Sequence, residues 1–126
     1  MKRILTLLAL GFAITSFTYT VGIDDVVSAI KSGNASQVAR YFDNTVEINL
    51  PDKSNSYSKS QAEMVLKDFF NTNPVKGFEV IHKGENAGSQ YCIGTMSTKN
   101  GSFRTTVFMK KNGDGQVLQE LRFENK

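Results

Sequence analysis

Few residues in this 126-residue chain could do chemistry, and they do not form a familiar catalytic set. The one histidine, His82, has no acidic or cysteine neighbour in the sequence. A zinc or similar centre needs several ligands of this kind, so a histidine-centred metal cluster is excluded. His82 is therefore predicted to be a satisfied surface or edge residue, and a role as a general base is the alternative.

The one cysteine, Cys92, cannot form a disulfide within the chain. It lies among apolar residues of a predicted strand, with no cation near it in the sequence. These surroundings favour a buried, inert thiol over a reactive one.

Tyr41 and Tyr57 are the better polar candidates, because a tyrosine can bury its ring and leave its hydroxyl to find a partner at the rim of a cavity. Tyr41 lies on the apolar face of a predicted helix, and Tyr57 lies in a polar segment. Core packing for Tyr41 and an exposed loop for Tyr57 are the alternatives.

The spacing of Asn112, Asp114 and Glu120 lacks the glycine and the final glutamate of a calcium loop, so a hairpin turn is predicted there. No cofactor is expected.

The N-terminal segment from Met1 to about Gly22 has the pattern of an export signal. Lys2 and Arg3 precede an apolar run over residues 4–14, and polar residues then return. An uncleaved anchor is the alternative, and cleavage after Ser16 or after Gly22 would leave a small residue at the cut. A soluble periplasmic or secreted product is predicted.

Residues 23–126 are predicted to form a single domain. Loss of Lys2 and Arg3 lowers the net charge from +3 to +1, since no acidic residue precedes Asp24. The remaining domain has one basic pair, Lys110-Lys111, and so lacks the basic stripe of a nucleic-acid-binding protein. We expect no nucleic acid and, after cleavage of the signal, no membrane among its partners.

The first half of the domain is predicted to be mainly helical. Asp24 and Asn34 could cap two short helices, the first ending at Gly33 and the second reaching Phe42. A strand over residues 44–50 and a polar loop over residues 52–58 follow. A longer helix begins at a Ser60/Glu63 capping box and ends at Asn73-Pro74. It has an apolar stripe formed by Ala62, Val65, Leu66, Phe69 and Phe70.

The second half is predicted to be an antiparallel meander. Its four strands lie near residues 78–83, 90–98, 102–110 and 116–124, and a bulge at Gln119-Glu120 would bring the apolar residues of the last strand to one face. The Asn100-Gly101 hairpin would pair Met96 with Thr105. The inner face, against the long helix, would then carry Cys92, Gly94, Met96, Thr98, Phe103, Thr105, Val107 and Met109. Gly94 would mark a bend of the sheet around the helix.

This α+β order of two helices, a strand, a long helix and four strands resembles the nuclear transport factor 2-like superfamily, a cystatin-like cone of curved sheet around a helix. The segments Tyr91-Cys92-Ile93-Gly94, Gly101-Ser102-Phe103-Arg104, Val107-Phe108-Met109-Lys110-Lys111 and Leu121-Arg122-Phe123-Glu124 are similar to an uncharacterised branch of small secreted bacterial proteins with a domain of unknown function. The resemblance implies a cavity between helices and sheet, frequent dimerisation through the outer sheet face, and relatives that include isomerases, dehydratases and non-catalytic proteins.

Two functional hypotheses follow. The inner positions of the two central strands hold no carboxylate or histidine, which favours a non-catalytic domain that binds a small apolar ligand or a protein partner. The cavity candidates are Tyr41, Tyr57, His82, Met96 and Thr105, because alternation with Phe78 and Val80 would direct His82 inward. The outer residues Tyr91, Ile93 and Phe108 are more apolar than a solvated face and predict a homodimer interface. The alternative is an isomerase or hydro-lyase that uses His82 with Tyr41 or Tyr57.

Overall fold

The computed structural model describes residues 22–113 and 115–126. Within these residues the chain forms three helices and six strands, which confirms the predicted α+β class. All but the last residue of the predicted export signal lies outside the described residues. None of the described helices is long and apolar enough to cross a membrane.

Two short helices open the domain. Helix α1 (Ile23–Ser32) begins after Gly22, so Asp24 lies in its first turn and is not the cap that the sequence predicted. Gly33 ends α1 with φ of 69°, as predicted. Helix α2 (Ala35–Ala39) is capped by Asn34, whose Oδ1 accepts hydrogen bonds from the next turn, also as predicted.

The second helix is shorter than predicted, and the following strand begins earlier. Strand β1 (Phe42–Leu50) starts at the residue that was expected to end α2. Strand β2 (Lys53–Ser58) occupies the segment predicted as a polar loop and pairs antiparallel with β1. Neither face of β2 is well covered, so its sequence lacks the apolar alternation that reveals a half-buried strand.

Helix α3 (Lys59–Thr72) is the predicted long helix, but it begins two residues early. Ser58 and Gln61 form its capping box, in place of Ser60 and Glu63. It ends at Asn73 as predicted. The apolar stripe is buried at four positions, which are Ala62, Leu66, Phe69 and Phe70.

The meander follows as strands β3 (Val75–Asn86), β4 (Ser89–Thr98), β5 (Gly101–Asn112) and β6 (Gly115–Asn125). The sheet order is β2-β1-β6-β5-β4-β3, with β1 and β6 parallel and the other neighbours antiparallel. The sheet is open, so β2 and β3 form its two edges.

The β4–β5 hairpin differs in register from the prediction. Thr98 pairs with Gly101 and Met96 pairs with Phe103, so the turn consists of Lys99 and Asn100 and the register is displaced by two residues. A shift of two residues keeps every side chain on its face. The predicted inner face is therefore confirmed, and its eight residues, Cys92, Gly94, Met96, Thr98, Phe103, Thr105, Val107 and Met109, are all buried.

The register between paired strands shifts at four places among the described residues, and two of these shifts are bulges that bear on the site. The register between β5 and β6 shifts at Gln119, which confirms the predicted bulge and leaves Leu118, Leu121 and Phe123 all buried. A second, unpredicted shift lies between Val80 and His82 in β3. Each bulge inserts one residue and bends its strand locally, so the sheet curves around the helices.

The space between α3 and the sheet is filled by side chains. Phe69 on α3 lies against two phenylalanines of the sheet, with ring centroids 4.7 Å from Phe123 and 5.3 Å from Phe103. Leu66 is also fully buried. The inner face of the central strands therefore belongs to the hydrophobic core.

Candidate functional site

His82 lies on the outer face of the sheet, and the prediction that it lies on the inner face is wrong. Val80 pairs with the inner residue Gly94, but His82 pairs with the outer residue Ile93, because Ile81 is an extra residue in β3. One inserted residue exchanges the two faces for every later position in a strand. The imidazole is accordingly exposed.

On this face His82 forms a hydrogen-bonded pair with Tyr91 of β4. His82 Nε2 and Tyr91 Oη are 2.9 Å apart, and the ring centroids are 5.6 Å apart. Gly84 makes room for the pair, since a Cβ atom there would lie 2.7 Å from the Tyr91 hydroxyl oxygen. His82, which was predicted to line a cavity, and Tyr91, which was predicted to lie in a dimer interface, thus belong to the same cluster.

Tyr41 and Tyr57 are far from His82. Tyr41 follows α2 and does not lie on its apolar face, while Tyr57 lies on β2 and not in a loop. Both are half-buried and pack against the hydrophobic core. Strands β2 and β3 are opposite edges of the sheet, so five strand spacings, or about 24 Å, separate Tyr57 from His82. The structure does not bring together the acid and base of the isomerase hypothesis.

Met96 and Thr105 are core residues with no accessible surface. Met96 pairs with Phe103, and Thr105 pairs with Gly94. The Thr105 hydroxyl donates to the Phe103 carbonyl oxygen at 3.3 Å, so its polar group is satisfied within its own strand. Neither side chain reaches solvent.

Cys92 is buried as predicted. Burial raises the pKa of its thiol to about 11, the nearby Lys83 ammonium opposes this effect, and the Asp24 carboxylate adds to it. Lys83 is distant in the sequence but pairs directly with Cys92 across β3 and β4, and it also forms an ion pair with Asp24 at 3.0 Å. A cation therefore lies near Cys92 in space, although none lies near it in the sequence. The thiol is protonated, and so a poor nucleophile, at neutral pH.

The described residues hold no group of three or more histidine, cysteine, aspartate or glutamate side chains placed to bind a metal ion. Asp114, which belongs to the predicted turn after β5, lies outside the described part of the chain.

The three residues predicted for a dimer interface form a cluster on the outer face, which we name the outer patch. Tyr91 pairs with Phe108 across β4 and β5, and Ile93 is the next outward residue of β4. All three are partly exposed. Two aromatic rings and an isoleucine in contact with solvent are typical of a surface that binds another molecule.

An acidic side flanks the outer patch on β1 and β6. Asp43, Glu47 and Glu120 line a shallow groove there together with Phe108. Glu120 is held in place by the Asn49 amide, which donates to Oε2 at 3.1 Å, and by Arg122, which forms an ion pair at 2.7 Å. Sequence reasoning missed this side, because its residues come from distant strands.

A second groove, of about 400 Å³, lies where the end of α3 meets the β1–β2 turn. It is open to solvent, and its apolar lining comes from Leu50, Pro51, Phe69 and Phe103. Asp52, Lys53 and Asp68 supply charged groups to the same groove. None of the predicted cavity residues lines it.

Three helices packed on the inner face of a curved, open sheet form the cone-like fold of nuclear transport factor 2-like proteins, and the predicted resemblance in fold is confirmed. The chain belongs to the family described as "Domain of unknown function (DUF4783)", whose model matches residues 23–124. No curated protein matches the chain.

Solved structures agree with this assignment. A DUF4783 protein from Bacteroides fragilis is 32% identical, with a TM-score of 0.79, over 84% of this chain and 100% of that one. Another from Bacteroides ovatus is 30% identical, with a TM-score of 0.80, over 83% of this chain and 96% of that one. An NTF2-like protein of unknown function from Cytophaga hutchinsonii is 10% identical, with a TM-score of 0.56, over 79% and 84% of the two chains. At that identity the likeness shows the fold alone.

Proposed function

We propose that this chain is an exported, non-catalytic domain that binds protein through its outer patch, and that the protein is a second copy of the same chain. The observation that carries the proposal is the contrast between the two faces of the sheet. The inner face is filled by the core, whereas the outer face presents Tyr91, Ile93 and Phe108 to solvent.

The composition of the outer patch supports a protein partner. Tyrosine and phenylalanine are enriched at protein interfaces, where they bury a large area with little loss of side-chain freedom. The Tyr91 ring is already fixed by Gly84 and by its hydrogen bond to His82. A positioned ring loses less entropy when a partner covers it.

The absence of an acid–base pair from the inner face of the described strands supports a non-catalytic role. Cys92 is the one titratable side chain among the buried inner residues of β4 and β5, and it is protonated at neutral pH. His82 lies on the β3 edge of the sheet, whereas Tyr57 lies on the opposite β2 edge and Tyr41 precedes β1. Export rests on the sequence of residues 1–22, and N-terminal sequencing of protein from the periplasm or the medium would test it directly.

Sedimentation of the mature domain over a range of concentrations tests the outer patch. We expect the wild type to dimerise and Phe108→Glu to be monomeric, because the substitution buries a carboxylate in an apolar contact. Met64→Glu is the matched control, since Met64 is 67% exposed on α3 and its substitution also introduces a carboxylate. A monomeric wild type, or a dimeric Phe108→Glu, would refute the proposal.

The groove between α3 and the β1–β2 turn favours a second candidate, the binding of a small apolar ligand. Its volume and its mixture of apolar walls with a few charged groups are those of ligand sites. Native mass spectrometry with medium-chain fatty acids and their amines would test it. We expect a bound ligand that is lost in Leu50→Asp but retained in Phe108→Glu, and equal binding by both variants would exclude this groove.

A further inference from the structure

We infer that the groove between the end of α3 and the β1–β2 turn binds an organic cation, a primary ammonium on an apolar body, in preference to a fatty acid. The inference rests on the second candidate function and adds to it the chemical class of the ligand's head group. An apolar floor, a buried polar side chain with a free acceptor atom and the charges around the groove carry it.

The floor of the groove is apolar and is not completely covered. Phe69 and Phe103 lie edge to face there, with ring centroids 5.3 Å apart, and they remain 9% and 8% exposed. Leu50 and Pro51 form the wall on the side of the β1–β2 turn. An alkyl or aryl group that lies on these side chains leaves water, which is favourable. The floor thus contributes affinity but does not select a head group.

Asn73 supplies a hydrogen-bond acceptor to the groove. It ends α3, lines the groove and is only 9% exposed. Its Nδ2 donates to the Phe69 carbonyl oxygen at 3.1 Å, and none of the described residues donates to its Oδ1. When a ligand displaces water from this oxygen, only a ligand that donates a hydrogen bond compensates the loss. An ammonium or a hydroxyl can donate, whereas a carboxylate can only accept.

The charges around the groove favour an ammonium over a neutral hydroxyl. Asp52 and Asp68 line the groove with one cation, Lys53, and none of the three forms an ion pair with another described residue. Helix α3 has no basic residue in its last turn, so the negative end of its dipole adds to the two carboxylates. Lys99 lies in the β4–β5 turn, whose backbone contacts Pro74, but it does not line the groove.

These groups define the direction in which a ligand lies. Its apolar body covers Phe69 and Phe103, and its ammonium lies between Asn73 and Asp68, which are separated by about 7.5 Å of helix rise. Asp52, Lys53 and Asp68 are exposed, so their charges act through solvent. The preference for a cation is therefore several-fold, and it weakens as the salt concentration rises.

Three ligands with eight carbons each test the head group. Octylamine, octanol and octanoate carry a cation, a neutral hydroxyl and an anion on the same kind of chain, and NMR titration of the wild-type protein measures their affinities. At neutral pH and low ionic strength, we expect octylamine to bind about fivefold more tightly than octanol, and octanoate to bind more weakly than octanol. At high salt the three affinities should converge.

Single variants test the groups that select the ammonium. Asp68→Asn should weaken octylamine binding about threefold and leave octanol binding unchanged, whereas Lys53→Gln should strengthen octylamine binding. Glu85→Gln is the matched control, because it removes one carboxylate from an exposed position near the opposite end of the sheet. It should bind all three ligands as the wild type does. Unchanged octanol binding also demonstrates that each variant is folded.

The outcomes separate the head group from the groove itself. Octanoate binding as tight as octylamine binding, or an unchanged octylamine affinity in Asp68→Asn, would overturn the cation preference. Loss of octanol binding in Leu50→Asp would still support the groove as a ligand site in that case. If none of the three ligands binds, the groove and its ligand class are both refuted, while Phe108→Glu continues to report on the outer patch.

Discussion

The Tyr91 hydroxyl lies 2.9 Å from His82 Nε2 on the outer face of the sheet, although the sequence pattern assigns these two residues to opposite faces. The bulge at Ile81 is the cause, because it reverses the alternation of β3 beyond Val80. One inserted residue therefore transfers the single histidine of the chain from the core side to the binding surface that we propose.

Gly84 is expected to be required for the position of the Tyr91 ring. Gly84→Ala would place a Cβ atom 2.7 Å from the Tyr91 Cε1 and hydroxyl oxygen, so the ring must move. We expect a loss of about 1 kcal/mol in the free energy of unfolding, measured by urea denaturation. In a Tyr91→Ala background the same substitution should cost close to nothing, and an equal cost in both backgrounds would show that the ring is not the obstacle.

Gly94 is expected to be essential for the close approach of β3 to β4. A Cβ atom there would lie 2.5 Å from the Glu79 carbonyl oxygen, which is backbone and cannot easily move, and 2.8 Å from Phe78 Cζ. We expect Gly94→Ala to lower the midpoint of urea denaturation, with a destabilisation of about 3 kcal/mol. Gly77→Ala is the matched control in β3, since nothing lies within 4 Å of its added Cβ. Similar midpoints for the two variants would contradict the close approach.

The cap of α3 gives a third prediction. The Ser58 hydroxyl accepts a hydrogen bond from the backbone N–H of Gln61 at 3.3 Å, so Ser58→Ala should destabilise the domain by about 1 kcal/mol. Ser60 lies within the first turn and is exposed, and Ser60→Ala should be nearly neutral. Thermal denaturation of the two variants measures the difference. A larger destabilisation by Ser60→Ala than by Ser58→Ala would indicate that Ser60, and not Ser58, caps the helix.

The raised pKa of the Cys92 thiol predicts a loss of stability at alkaline pH. The folded state holds its thiol proton up to a pKa of about 11, whereas an unfolded chain releases it near pH 8.5. The stabilisation that the protonated Cys92 thiol gives to the folded state is complete below about pH 8.5. It declines as the pH rises toward 11, by at most about 1.4 kcal/mol per pH unit. Unfolding of the wild type should therefore depend more steeply on pH in this range than unfolding of Cys92→Ala. Parallel pH profiles would show that the folded thiol is not protected.

The helices and the inner sheet face were predictable because burial imposes a regular pattern. The α3 stripe and the alternation of β4 and β5 repeat at the periods of a helix and a strand. The predicted hairpin register was wrong by two residues, but a shift of two residues leaves each side chain on the same face of the sheet. By contrast, β2 has no buried face of its own, and its polar sequence gave no sign of a strand.

The candidate site was less predictable because it depends on irregularities and on contacts between distant strands. The insertion of Ile81 leaves no mark in the composition of β3, so the face of His82 could not be read from alternation. The acidic side joins Glu47 and Glu120, which are brought together by the parallel pairing of β1 with β6. Pairings over such a separation have no local signal.

That parallel pairing also determines the order in which the domain can fold. Strand β6 is the last to be synthesised, yet it lies inside the sheet, between β1 and β5. A nascent chain that lacks the eleven residues of β6 lacks the strand that joins the β1–β2 hairpin to the meander. The two halves of the sheet can combine only when β6 is available, so folding is completed after synthesis of this strand and not before it.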